Sequence, residues 1–459
     1  MENRDYWSAK IGMDFKKIDP AELQRIADHL VTAPGVPQSF VPSGYGIKPG
    51  ERVLLAVNSF YDKELVNAVV RAIVKAGATV DLVCTDMGPE RELNQLDEYR
   101  GFIFNWKDIQ PVNEIRNWSA RRPWVEQAAA REGYDQLIHG VGQPPKPTTF
   151  RSDTIPWTSA EIFHSAAFPR EVWDLVEKKG WDMIWNKGRG GRVRITDPEG
   201  TDITFTLREE FYHMDRYKDS GFAPFFNPQP FFCHYWACPT PPYSMTNWDA
   251  AGVVAGTYNH FSCPYPNIKV QVENGRVTGI DGGGEYGDEW REMWEATKDI
   301  QYPGYPGKGL FWFWEVGVGT NPKMGRPSNA FMLSGCGTTF ERLRSGYVHL
   351  GFGTAPLSQA ETWARENVKT YGHLHVHLLH CNYEITTADG EVLYLIKNGH
   401  LTSLDDPEVI ELAAKYGDPA EVLRETWIPP LPGITVPGDY EKEYALNPLK
   451  WLKQYYANL

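Results

Sequence analysis

The run Arg52-Val53-Leu54-Leu55-Ala56-Val57, the helical period from Lys63 to Ala76 and the run Thr79-Val80-Asp81-Leu82-Val83-Cys84 decide the class of fold. The two flanking runs are short and apolar, which predicts strands. Between them Leu65, Val66, Val69, Val70 and Ile73 recur at the spacing of one helix face, and Gly77 stops the helix. Strand, helix and strand in that order make a βαβ unit, which implies a parallel sheet. The link from the first strand to the helix is Asn58-Ser59-Phe60-Tyr61-Asp62, with no glycine-rich phosphate loop, so no nucleotide cofactor is expected here.

The same texture extends both ways. Asp19-Pro20-Ala21-Glu22-Leu23 opens a helix, with Asp19 as N-cap and Pro20 at the first helical position. A helix from about Arg122 to Gly133, a strand at Gln136-Leu137-Ile138-His139-Gly140 and a helix from Arg170 to Lys179 continue the α/β pattern. From Gly191 the chain turns to strands and turns. Arg192 to Phe205 reads as a hairpin around Asp197 to Gly200, and Asn267 to Ile280 as another around the Asn274-Gly275 turn signal. The expected fold is therefore α/β: an N-terminal parallel-sheet α/β domain, residues 1–190, followed by a larger, strand-rich α+β metal-binding domain, residues 191–459. Its C-terminal tail, from Pro429, is rich in proline and aromatic residues and is expected to wrap the surface or a neighbouring subunit.

Two domains also agree with the length, since 459 residues exceed what one hydrophobic core usually organises. The 42% hydrophobic and 23% charged composition is that of a soluble globular protein, with no segment apolar enough to cross a bilayer. A net charge of −13 with no compensating basic stretch argues against nucleic acid as a partner. Met1-Glu2-Asn3-Arg4-Asp5-Tyr6-Trp7 lacks the pattern of a secretory signal, so a cytoplasmic address is expected. The six cysteines are scattered, which favours reduced thiols, and Cys233 and Cys238 around His234 lack a second pair at zinc-ribbon spacing. Aromatic residues concentrate in Phe225 to Trp248 and in Phe311-Trp312-Phe313-Trp314. Such segments either line a pocket for a flat organic substrate or pack the core.

The chemistry concentrates in Tyr371-Gly372-His373-Leu374-His375-Val376-His377-Leu378-Leu379-His380. On a strand, His373, His375 and His377 project to one face while Leu374, Val376 and Leu378 project to the other. Alternate residues on one face lie roughly 6 to 7 Å apart, close enough for two imidazoles to tilt onto one ion. A metal site is the first expectation, and His380, of opposite parity, reads as structural. Two further segments look built for a site. Trp314-Glu315-Val316-Gly317-Val318-Gly319-Thr320-Asn321-Pro322 sets a carboxylate beside a glycine-rich turn, and Gly346-Tyr347-Val348-His349-Leu350-Gly351-Phe352-Gly353 sets a histidine on an apolar strand. Tyr347 shares a face with His349 and can reach substrate or sit in the core, while His260 in Tyr258-Asn259-His260 is a candidate acid/base group.

Taken together, Arg192 to Phe205, the Gly-Thr-Asn-Pro run, the strand of His349 and the His-x-His strand followed by Ala388-Asp389-Gly390-Glu391 resemble the thermophilic aminopeptidase T metallopeptidases. The resemblance covers most of the chain, including the first βαβ unit, and is strongest from about 190 to 400. It implies that Glu315 matches a carboxylate ligand, His349 the strand histidine, and His375 with His377 a His-x-Asp pair in which His377 stands where the family has Asp. The family's earlier glutamate has no counterpart in Ala251-Gly252-Val253-Val254-Ala255-Gly256, nor its tyrosine in Gly353-Thr354-Ala355-Pro356. Loss of these groups removes what a second metal needs. The chain is more similar to the 2,5-dihydroxypyridine 5,6-dioxygenases, a branch of the same fold that uses one Fe(II) to open an aromatic ring. That resemblance implies a mononuclear Fe(II) site at His349, His375 and His377, with Glu315 as ligand or base. His373 is then an outer group, or a ligand in place of His375 if the register slips by two residues. Implied partners are a small aromatic or heterocyclic substrate and O2, in a homodimer. The alternative is an aminopeptidase or amidohydrolase with Zn or Mn.

Overall fold

The computed structural model describes residues 19–35, 44–57, 61–84, 125–139, 150–155, 157, 160–209, 234–236, 249–259, 264–325, 343–354, 359–425 and 428–457. Strands β1 (Arg52–Val57), β2 (Thr79–Cys84), β3 (Gln136–His139) and β4 (Arg151–Thr154) form a parallel sheet in the order β2-β1-β3-β4. The expected βαβ unit is present, with β1 and β2 in register from Arg52 opposite Thr79 to Val57 opposite Cys84. Helices α1 (Pro20–Thr32) and α2 (Lys63–Lys75) start where the sequence puts them: Asp19 caps the amide of Ala21, and Asp62 that of Glu64. Along β1 the side chains alternate between two cores. Val53, Leu55 and Val57 join the helix faces of Leu23, Ile26, Leu65 and Val69, whereas Leu54 and Ala56 meet Val125 and Ala129 of α3, helical over 125–132.

Strand β4 is unexpected from its sequence, because Arg-Ser-Asp-Thr carries no apolar alternation. Its side chains are held by polar contacts instead: Gln136 donates to Asp153 at 2.7 Å, and Arg151 donates to the Gly46 carbonyl at 2.8 Å. Burial of Asp153 pushes its carboxyl up to about 6, against the pull of the Gln136 hydrogen bond and of Arg151. Helix α4 (Arg170–Asp182) runs three residues beyond the expected Lys179 and continues as a π-helical turn over Met183–Lys187. Trp181 and Ile184 are buried there, so tertiary packing carries the helix past its sequence signal.

From residue 192 every paired strand is antiparallel. The strands are β5 (Arg192–Thr196), β6 (Asp202–Thr206), β7 (His234–Trp236), β8 (Ala251–Tyr258), β9 (Pro264–Glu273) and β10 (Arg276–Gly282). They continue as β11 (Phe313–Gly319), β12 (Val348–Gly353), β13 (His373–Leu378), β14 (Asn382–Thr386), β15 (Val392–Lys397) and β16 (His400–Leu401). Eight make one sheet, β10-β9-β8-β6-β5-β14-β15-β16, and four make another, β13-β12-β11-β7. Both expected hairpins form. At the second, Asn274 and Gly275 have φ of 50° and 76°, the pair of left-handed positions of a type I′ turn. Among the described residues the protein is thus a mixed α/β fold, with one parallel sheet early in the chain and two antiparallel sheets later. No helix among the described residues is long and apolar enough to cross a membrane.

The four-stranded antiparallel sheet has two unlike faces. Leu374, Val376 and Leu378 are buried in the main core, and Val376 lies so close to β8 that a Cβ on Gly256 would stand 2.8 Å from its Cγ1. Gly256 therefore lets the two antiparallel sheets approach. The other face carries the histidines.

Candidate metal centre

Three antiparallel strands bring the site together in two cross-strand rows. One runs Glu315 on β11, Gly351 on β12 and His375 on β13; the next runs Gly317, His349 and His377. A carboxylate and a histidine thus each lie directly opposite a glycine. The absence of a side chain there is what makes room: a Cβ on Gly351 would fall 2.3 Å from Glu315 Oε2, and one on Gly317 would fall 2.1 Å from His349 Cε1. Over this glycine floor Glu315 meets both histidines, His349 Nε2 at 2.9 Å from Oε1 and His375 Nε2 at 2.8 Å from Oε2. All three side chains are buried.

Tyr286 of α5 (Gly284–Thr297) fixes the strand that carries His375. Strand β13 is an edge of its sheet, and the Tyr286 hydroxyl donates to the His375 carbonyl at 3.0 Å while accepting from the His375 amide at 3.4 Å. With these groups turned outward, His375 and Gly351 form a non-hydrogen-bonded pair, the kind in which cross-strand side chains come closest. The far end of β11 is anchored to α4. Trp173 donates to Thr320 Oγ1 at 2.7 Å, and Thr320 donates to Glu177 at 2.9 Å. Burial pushes the Glu177 carboxyl up to about 8, with Arg170 and the Thr320 hydrogen bond opposing the shift.

Among the described residues, Glu315, His349 and His375 form the group whose ligand atoms, one from each side chain, all lie within 4.8 Å of one another. Their chemistry and spacing fit one divalent ion. Ligands about 2.1 Å from an octahedral ion stand about 3 Å from their neighbours, close to the two histidine-carboxylate contacts. The glycine floor supplies a cradle that a Cβ would fill.

The remaining sequence candidates fall around this trio. His377 lies on the same face with its ring 5.7 Å from that of His375 and 5.9 Å from that of His349, outside the convergent group, and its Nδ1 is 2.5 Å from the Tyr347 hydroxyl. Tyr347 is fully buried among Tyr258, Leu379 and the tail residues Leu431, Tyr440 and Tyr444. The tail thus packs on its own chain, behind Tyr347. His373 begins β13 opposite Gly353. His260 and most of Phe225 to Trp248 lie outside the described residues. Phe311 and Phe313 are core residues, with ring centroids 5.9 Å from Trp290 and 5.4 Å from Phe352 respectively. The sequence reading did not anticipate Tyr286 or the role of the two glycines. The glycines did leave a signal: Glu-x-Gly on one strand and His-x-Gly on the other are reciprocal when the strands run antiparallel.

Fold and donor set define a class: a mixed α/β protein with a buried carboxylate and two histidines converging on an antiparallel sheet. No protein-family model matches the chain, and no curated protein matches its sequence. Solved structures do. The chain is similar to 2,5-dihydroxypyridine dioxygenase from Pseudomonas putida KT2440, with a TM-score of 0.40 and 15% identity over 84% of this chain and 98% of that one. It is also similar to wild-type AmpT from Thermus thermophilus, with a TM-score of 0.42 and 12% identity over 83% of this chain and 98% of that one.

Proposed function

We propose that the protein is a mononuclear non-haem Fe(II) dioxygenase that opens the ring of a hydroxylated aromatic or N-heterocyclic compound. The observation that carries this reading is the convergence of two histidines and one carboxylate within 4.8 Å. That donor set on one side of an ion leaves other positions open for substrate and O2 together. Bound Fe(II) would supply the one-electron chemistry by which O2 reacts with a closed-shell ring. The chain's own part is to hold, orient and exclude. Glu315 gives one negative charge, the two imidazoles give neutral donors, and burial of all three keeps bulk water from the reacting groups. Both oxygen atoms enter the product, so no separate reductant is required.

A second reading has support of its own, because two histidines and a glutamate are also a donor set of catalytic zinc. It makes the protein a Zn- or Mn-dependent aminopeptidase or amidohydrolase. Anaerobic reconstitution with Fe(II), followed by oxygen-electrode assays with dihydroxypyridines and catechols, separates the two. Oxygen uptake that depends on both iron and ring substrate supports the dioxygenase; release of amino acids from peptides by zinc-loaded protein, without oxygen uptake, contradicts it. A homodimer is part of the proposal, and sizing in solution tests it.

A further inference from the structure

We propose that His377 is a hydrogen-bond donor to an anionic oxygen of the substrate held at the centre, rather than a metal ligand, and that Tyr347 is the positioning residue that makes it one. The inference rests on the metal-centre reading above. Three observations carry it. His377 shares the face of β13 with His375 and lies directly opposite His349, so it flanks the trio, yet it does not join the group of converging ligand atoms. Its Nδ1 is committed to the Tyr347 hydroxyl at 2.5 Å. And Tyr347 is locked in place, fully buried in the tyrosine-rich cluster with Tyr258, Tyr440 and Tyr444, its ring edge-on to that of His377 at 5.0 Å.

The tautomer follows from the chemistry of the two partners. A phenol donates well and accepts poorly, whereas the bare nitrogen of a neutral imidazole is a good acceptor. Tyr347 therefore donates to Nδ1, and the hydrogen of His377 resides on Nε2. A nitrogen that carries a hydrogen cannot bind a metal ion through a lone pair, but it can donate to an oxyanion. In His349 and His375 it is Nε2 that meets a partner, the Glu315 carboxylate, whereas in His377 it is Nδ1, which meets Tyr347. Tyr440 and Tyr444 extend the support one layer back: Tyr440 donates to the buried Glu199 at 2.8 Å and Tyr444 donates to Tyr258 at 2.8 Å, which fastens the C-terminal tail behind Tyr347. The arrangement gives the substrate a fixed donor that costs no reorganisation when charge arrives.

The test uses the full chain loaded with Co(II), with azide as the anionic probe and the visible spectrum as the readout. Wild type is compared with His377→Ala, His377→Gln and Tyr347→Phe. Cobalt affinity is expected to stay within about threefold in all three variants, while azide affinity falls about tenfold or more in His377→Ala. His377→Gln, which keeps a side-chain N–H, is expected to recover part of that loss. In the zinc-loaded protein, 15N spectra of the histidine rings are expected to show His377 as the Nε2–H tautomer, and Tyr347→Phe to mix the two tautomers. A fall of about 100-fold in cobalt affinity in both His377 variants would make His377 a ligand and overturn the proposal. Unchanged azide affinity in folded, cobalt-loaded His377→Ala would overturn it too, as would an Nδ1–H tautomer in wild type. Failure of the wild-type chain to take up cobalt or zinc would instead bring down the metal-centre reading itself.

Discussion

Two clusters in this protein are built from the same residue types and do opposite things. At the first, one carboxylate, Glu315, lies between two imidazoles, and three ligand atoms converge. At the second, one imidazole, His400, lies between two carboxylates, with Nδ1 at 2.9 Å from Glu425 and Nε2 at 3.0 Å from Asp405. His400 spends both nitrogens on opposite sides of its ring, so the carboxylates are held apart. Glu425 is further matched by the fully buried Arg344 at 3.8 Å and by the Ser345 hydroxyl. The second cluster is thus closed by its own charges and fastens β16 to the chain around Glu425. The first has a glycine floor and three converging ligand atoms, which is the geometry of a place for an ion.

The sharpest way to break this contrast is to remove one histidine from each cluster. His375→Ala is expected to lower metal affinity by more than about 100-fold, since a ligand is worth more than the outer groups that orient it. His400→Ala is expected to leave metal content unchanged and to cost about 3–5 kcal/mol of stability in chemical denaturation, because it leaves Glu425 and Arg344 buried without their third partner. Metal loss in His400→Ala, or full metal content in His375→Ala, would erase the distinction.

Gly351→Ala tests the floor without replacing a donor. The backbone there is ordinary strand, so alanine is tolerated conformationally, yet its Cβ would meet Glu315 at 2.3 Å from Oε2 and 2.7 Å from Cβ. Metal affinity is expected to fall about 10- to 100-fold with secondary structure by circular dichroism retained. An alanine variant that binds metal as tightly as wild type would show that the glycine does not shape the site.

The second cluster also carries a pH dependence. Burial disfavours the charge on His400, but hydrogen bonds to Asp405 and Glu425 outweigh it and raise its pKa from 6.5 to about 9. A raised pKa means that the folded state holds the proton more tightly. The stabilisation is therefore fully present below about pH 6.5, declines as pH rises, and is gone above about pH 9, a change of about 3 kcal/mol. Denaturation midpoints of wild type and His400→Ala should converge as pH rises from 6 to 10. A constant gap between them would contradict the assignment of the charge.

Much of this was readable from the chain, and the exceptions have physical reasons. Strand β1 and helices α1 and α2 follow from apolar period and capping residues, because there local pattern and tertiary burial agree, while β2 forms as the sheet's edge with Leu82 exposed. Strand β4 does not, because its burial is satisfied by Gln136, Glu51 and backbone carbonyls rather than by apolar side chains. In the site, His349, His375 and Glu315 were reached through alternation and motif resemblance. What alternation cannot show is cross-strand register: only the pairing of Glu315 with Gly351 and of His349 with Gly317 and His377 reveals which groups converge. The same pairing places Tyr347 against His377, a contact that parity alone left open between substrate and core.

Elemental analysis of the chain after anaerobic reconstitution with Fe(II) and removal of excess metal tests the central claim most directly, with His375→Ala and Glu315→Gln treated in parallel. The account predicts about one iron per wild-type chain, removable by a chelator, and none retained by either variant. Two metal ions per chain, or retention of iron by both variants, would contradict it.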